Sequence, residues 1–233
     1  MNPRGYLSLA IAAVTLALVA CGSGPELPAT AAKVSAPVDF SGDWEVDYSQ
    51  SDNILDRYKM MISELQRQAE RRARGGMSQS NGSISLGGFS GGESLYALAR
   101  MAEIITDVQL LNIEQDDIEI SVKREGNFAL QCEFHADRLH KHDSSLGSEL
   151  CGWDGHQLVF HVAIPDGLRI IHRLTMGPEG QRLNIATTVQ SQQVSYPFTI
   201  NRVFNRYDPQ SSGIRCRQTL TRGRVCTTEK EPS

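Results

Sequence analysis

A chain of 233 residues with 27 Asp and Glu against 23 Lys and Arg carries a formal charge of −4, which excludes the basic excess that a nucleic-acid partner requires. Its length suffices for one domain with a sizeable core. No H-E-x-x-H, S-x-x-K or phosphate-binding loop occurs, so the sequence points to no cofactor and reads as non-enzymatic.

Arg4 and the apolar run from Leu7 to Ala20 have the charge and length of a secretory signal, and the run is too short to span a bilayer as a helix. Leu18, Val19 and Ala20, standing before Cys21, resemble the lipobox of bacterial lipoprotein precursors. The resemblance implies removal of residues 1–20 and acylation of Cys21 on its sulfur and new amino group. Several acyl chains on one residue anchor far better than one, at roughly 0.8 kcal/mol per buried methylene. Gly22 and Ser23 lack the aspartate that retains such lipoproteins at the inner membrane, which implies an outer-membrane, lipid-anchored protein facing the periplasm. Residues 21–38 carry Pro, Ala and Ser without apolar period and read as a lipidated tether.

Residues 39–233 read as a single domain. In FSGDWEVDYSQSDN, Trp44, Val46 and Tyr48 alternate with polar residues as in a strand, and the Ser/Asp run after them supplies helix caps. Ile54, Leu55, Tyr58, Met61, Ile62 and Leu65 then recur at steps of three and four, which predicts a helix over about 52–74. Arg67, Arg71, Arg72 and Arg74 crowd its end, where they suit the negative pole of the helix dipole, and Gly75 stops it. The Gly/Ser-rich residues 75–92 predict a mobile loop. A second helix over about 93–106 sets Leu95, Leu98, Met101, Ala102 and Ile105 on one face, so the helical insertion covers about 51–106.

From Asp107 the apolar period becomes two. Ile118, Ile120 and Val122 form one run and Phe128, Leu130, Cys132 and Phe134 the next, joined through REGN, with further strands at about 148–153, 157–164, 168–176, 182–190 and 193–206. Turns such as WDGH, IPDGL and GPEG make sequence neighbours antiparallel neighbours in space. In IPDGL, proline suits the first corner of a type I turn and glycine the left-handed position after it, which pairs Ile164 with Leu168. Leu158, Phe160, Val162 and Ile164 then share a face with Leu168, Ile170, His172 and Leu174. A turn at Asp154 and Gly155 sets Cys151 across from Leu158. Once Cys21 is lipidated, Cys132, Cys151, Cys216 and Cys226 remain, an even number that predicts two disulfides in an oxidising compartment. Proximity favours Cys132 with Cys151 and Cys216 with Cys226.

A meander of about eight or nine strands curls into a barrel or half-barrel to bury its edges. FSGDW, WDGHQLVF, GPEGQRL and RVFNRY resemble a recurring group of bacterial exported lipocalin-like lipoproteins of unknown function. In lipocalins a Gly-x-Trp opens the first strand, and its indole packs across the barrel floor near an arginine of the last strand. The resemblance implies that Gly42 and Trp44 are this motif, with Arg202 or Arg206 as the arginine. The expected fold is mainly β, an antiparallel meander forming a lipocalin-like barrel or half-barrel, with two helices inserted after the first strand. Those helices depart from the lipocalin pattern and are placed to plug or cap the sheet.

Two functional readings follow. In the first, a non-enzymatic, lipid-anchored envelope protein binds or shields a small apolar molecule or lipid; His172, on the apolar face beside Phe160 and near Ile185, is the polar group that orients the ligand. In the second, a filled barrel docks a protein partner, and the bulk of Phe128, Phe134, Phe160, Tyr196 and Phe198 supports it. HADRLHKHDSS gathers His135, Asp137, His140, His142 and Asp143, all metal-ligating types, but a polar loop of this composition reads as solvated, and no metal site is expected.

Overall fold

The computed structural model describes residues 30–32, 34–75, 90–135, 138–139, 141–145, 147–208, 214–219 and 223–228. The signal sequence and Cys21 lie outside these residues. In chain order the elements are β1 (Gly42–Val46), α1 (Ile54–Gly75), α2 (Ser90–Thr106), β2 (Leu110–Gln115), β3 (Glu119–Arg124), β4 (Leu130–His135), β5 (Arg138–Leu139), β6 (Lys141–Ser144), β7 (Gly147–Asp154), β8 (Gln157–Ile164), β9 (Leu168–Met176), β10 (Arg182–Ser191) and β11 (Val194–Tyr207). Two more strands, β12 (Ile214–Thr219) and β13 (Gly223–Thr228), pair with each other. The expected class, mainly antiparallel β with two helices after the first strand, is the one observed. The strands outnumber the expectation because β2 and the short β5, β6, β12 and β13 carry too little alternation to stand out.

The sheet runs in the order β5-β4-β3-β2-β1-β11-β10-β9-β8-β7-β6. Strand β1 is hydrogen-bonded to β2 on one side and to β11 on the other, so the meander closes on itself where its first and last strands meet. The opening lies between β5 and β6, which are neighbours in sequence. There the sheet curls until β4 and β7 touch, and Cys132–Cys151 joins them with a Cα–Cα distance of 5.6 Å. Replacing both cysteines with alanine should lower stability by roughly 3 kcal/mol, the loop-closure value for their separation of 19 residues. Urea unfolding checks this; a loss below about 1 kcal/mol would mean that other contacts hold the seam. Strands β12 and β13 set Cys216 opposite Cys226, and these two side chains lie outside the described residues.

The IPDGL hairpin has the expected register, Ile164 opposite Leu168 and Phe160 opposite His172, with Gly167 left-handed at φ +77°. The CGWDGHQL hairpin does not. Its loop is Gly155–His156, so Trp153 faces Leu158 and Cys151 faces Phe160. The expected turn lay one residue early, which shifts partners by two and leaves Cys151 on the inner face.

Other differences have local causes. β1 ends at Val46 because Asp47 turns the chain: its carboxylate accepts hydrogen bonds from Ser49 and Gln50 backbone N–H, an Asx turn, and Tyr48 is left exposed. Phe128 is 84 % exposed rather than interior, because it belongs to the β3–β4 turn, where Arg124 Nε and Nη2 donate to its carbonyl at 2.9 and 2.6 Å. Ile118 is likewise exposed ahead of β3, and Leu55 and Met101 lie on the solvent side of their helices. Helix α2 starts at Ser90, inside the segment expected as loop; residues 76–89 lie outside the described residues.

Asn53 caps α1, its Oδ1 accepting from Leu55 and Asp56 N–H at 2.9 and 3.2 Å. Arg67 and Arg71 both reach Glu64, at 2.7 and 3.0 Å, in keeping with a solvated helix end. The buried faces of the helices form a lid cluster: Ile54, Leu95, Leu98, Ala99 and Ala102 pack on Val189, Phe198 and Ile200. A larger floor cluster surrounds Phe40, Trp44, Trp153, Phe160 and Phe204. Residues 31–32 and 34–40 run against this floor: Ala31 and Trp153 exchange backbone hydrogen bonds of 2.7 Å, and Phe40 stacks on Trp153 at 6.0 Å.

Candidate functional site

Period-two alternation on three adjacent strands decides what faces the barrel interior. On β11, Phe198 and Ile200 belong to the lid cluster, Phe204 to the floor, and Arg202 lies between them. On β10, Val189 is lid, Leu183 and Ile185 are floor, and Thr187 lies between; on β9, His172 stands between Leu168 and Leu174. Each strand thus places a polar residue at the level where the two apolar clusters part. The result is a polar belt inside an otherwise apolar barrel.

A void opens at this belt, lined by His172, Thr187, Arg202 and Arg124 together with apolar groups that include Leu174 and Ile185. Ile105 and Thr106, at the end of α2, roof it. Its volume is about 20 Å³, room for about one water. Helix α2 therefore lies over the barrel interior at this level.

The belt's electrostatics follow from burial. His172 is 4 % exposed, and its Nδ1 is hydrogen-bonded to Thr187 Oγ1 at 2.9 Å. Burial, and then the positive charge of Arg124, push its pKa down to about 3, so the imidazole is neutral at ordinary pH. Arg202 Nη1 donates to the Asp52 carbonyl at 3.1 Å, while its Nε is buried with no hydrogen-bond partner. Burial lowers the pKa of Arg124 against the opposing charge of Glu149. Glu149 is itself raised by burial, with Arg124, a hydrogen bond involving the Gln131 backbone and His142 opposing.

Of the residues expected to bind a ligand, His172 and Ile185 line the void. Phe160 sits opposite His172 in register but is packed wholly into the floor. Arg124 and Thr187 were not expected there. Arg124 extends the inward face of Ile120 and Val122, a signal that the alternation carried and its charge disguised.

Of Arg202 and Arg206, it is Arg206 that meets Trp44. Trp44 is fully buried, its Nε1 donates to the Phe40 carbonyl at 3.1 Å, and the Arg206 guanidinium covers its ring at 4.4 Å. Arg206 also donates to the carbonyls of Ser41 and Gly180 at 2.8 and 3.0 Å. Gly42 has φ +130°, which favours glycine, and a Cβ there would stand 2.4 Å from Arg206 Nη1, so a side chain would also displace that guanidinium. Arg202 is thereby freed from the floor and belongs to the belt.

The histidine-rich stretch falls partly outside the described residues, which exclude Asp137, His140 and the His135 side chain. His142 and Asp143 are exposed on β6, and Asp143 pairs with Lys141 at 2.8 Å. GFSGG, residues 88–92, fits the letters of G-x-S-x-G, whose serine stands between a strand and a helix in serine hydrolases. Ser90 does open α2, but the residues before it lie outside the described ones, and a run so rich in glycine and serine meets the pattern by composition.

No protein-family model and no curated protein matches this sequence. Among solved structures, the chain is similar to the REP1-NXSQ fatty acid transporter, at 12 % identity and a TM-score of 0.36, covering 73 % of this chain and 97 % of that one. It is similar to a secretory abundant heat soluble protein from Ramazzottius varieornatus at 13 % identity and a TM-score of 0.37, covering 72 % and 94 %. A luciferase domain from the dinoflagellate Lingulodinium polyedrum aligns at 13 % identity and a TM-score of 0.36, over 81 % of this chain and 47 % of that one. Likeness at this level assigns no function to the chain.

Proposed function

We propose that this chain is a lipid-anchored envelope protein of the outer membrane, facing the periplasm, whose barrel holds a small apolar molecule in the belt beneath α2 without catalysing a reaction. The observation that carries the ligand-holding part is the division of the interior into a lid cluster and a floor cluster with His172, Thr187 and Arg202 between them. A scaffold filled for stability alone gains nothing from polar groups at that level, whereas a binding site uses a few of them to orient an apolar guest. The anchor and the location rest on the lipobox-like run before Cys21.

A void of about 20 Å³ admits no such guest until α2 lifts, so the helix acts as a lid. A neutral solvatochromic dye such as Nile red, titrated into the native chain from Gly22 onward, should occupy one saturable site with blue-shifted emission. Absence of saturable uptake would contradict the proposal. It would favour the filled barrel that docks a partner, a reading supported by the small void and by Leu55, Met60, Tyr96, Met101 and Ile104, which leave apolar surface exposed on the two helices.

A further inference from the structure

We propose that the molecule held in the belt is an amphiphile with an anionic head group, carboxylate or phosphate, seated against Arg202 with Arg124 beside it. This rests on the ligand-holding reading above and narrows it to a chemical class. Arg202 stands inward from β11 between Ile200 and Phe204 and lines the void. Its one described hydrogen bond goes to a backbone carbonyl, which neutralises no charge, and its buried Nε has no partner.

Among the described residues no carboxylate pairs with Arg202. The Asp52 carboxylate accepts from Asn201 at 2.9 Å and meets Arg57 at 3.5 Å, and Glu149 interacts with Arg124. A water in the void would satisfy the Nε–H yet bring no charge. Arg202 as a whole is half-buried, but its guanidinium cannot lose its proton, and its buried Nε–H left without an acceptor costs free energy that an anionic oxygen would restore. Arginine is also the side chain whose fork matches the oxygens of a carboxylate or phosphate. Neutral His172 and the Thr187 hydroxyl add polarity without a competing charge, and Val122, Leu174, Ile185 and Phe204 line the same space with apolar surface suited to a chain.

The test is calorimetric titration of the same chain with a long-chain alkyl carboxylate, the alkyl phosphate and the alcohol of equal chain length. The acids should bind roughly tenfold or more tightly than the alcohol, as expected when a charge-assisted hydrogen bond is added. The tighter of the two acids identifies the head group. Arg202→Met should erase the preference for acid while leaving the melting temperature nearly unchanged, since Met keeps the apolar stem and removes an unpartnered buried Nε–H together with one hydrogen bond to a backbone carbonyl. Arg202→Lys, which keeps the charge, should retain part of the preference. Equal binding of acid and alcohol by the unmodified chain would overturn the anionic head group and leave the ligand-holding reading intact. Binding of none of the three, with no dye uptake, would overturn both.

Discussion

Trp44→Ala should destabilise the protein by roughly 3–5 kcal/mol, the range for removing a large aromatic from a packed core. Trp44 is fully buried, and the Phe40 carbonyl and the Arg206 guanidinium both use its indole, so alanine leaves a cavity, an unpaired carbonyl and an arginine without its aromatic face. Trp44→Phe keeps a ring but strands the Phe40 carbonyl, for a loss of about 1–3 kcal/mol. Arg206→Ala removes the cation–π contact and two hydrogen bonds to carbonyls, and should fall between about 1 and 3 kcal/mol. Urea unfolding monitored by circular dichroism measures all three. A loss under about 1 kcal/mol for Trp44→Ala would show that this end of the barrel is not where its stability resides.

Acid should destabilise the protein well before its carboxylates titrate fully, and His172 is the main reason. Its folded pKa of about 3 lies below the ordinary histidine value, so between the two the unfolded chain binds the extra proton. Stability therefore falls as pH drops from about 6.5 toward 3, by at most roughly 5 kcal/mol from this one group. His161 is also lowered, by burial and then by Arg173, and adds with the same sign. Glu149 is raised by burial and acts oppositely, favouring the folded state as pH falls through its raised value. His172→Leu should flatten the slope of stability against pH between 6.5 and 4 without abolishing it. An unchanged slope in that variant would mean that His172 takes up its proton in the folded state.

Much of the fold was legible because alternation and turn chemistry are local. Proline and glycine at fixed offsets in IPDGL gave the pairing of Ile164 with Leu168, and from it the inward face of β9 with His172 on it. Parity made the Cys132–Cys151 bridge reasonable even though the turn before Leu158 lay one residue later than expected, since a shift of two partners leaves the faces unchanged. The choice between Arg202 and Arg206 was not legible. Both share the parity of the inward positions on β11, and only the pairing of Trp44 with Arg206, a contact across 162 residues of chain, fixes which one meets the indole. The lid faces were blurred because a helical stripe has edges: Leu55 and Met101 share the apolar spacing yet sit beyond the width that the sheet covers. The belt itself requires knowing where two clusters meet in space, which no single strand records.

The most direct measurement is native mass spectrometry of the chain from Gly22 onward, produced in a bacterial periplasm and purified without detergent. A barrel that holds an amphiphile beneath α2 predicts a discrete extra mass of lipid size, present once per chain, released on denaturation and lost in Arg202→Met. A clean mass of the protein alone under several growth conditions, from a chain that also leaves added alkyl acids unbound, would contradict it and make the barrel a filled scaffold.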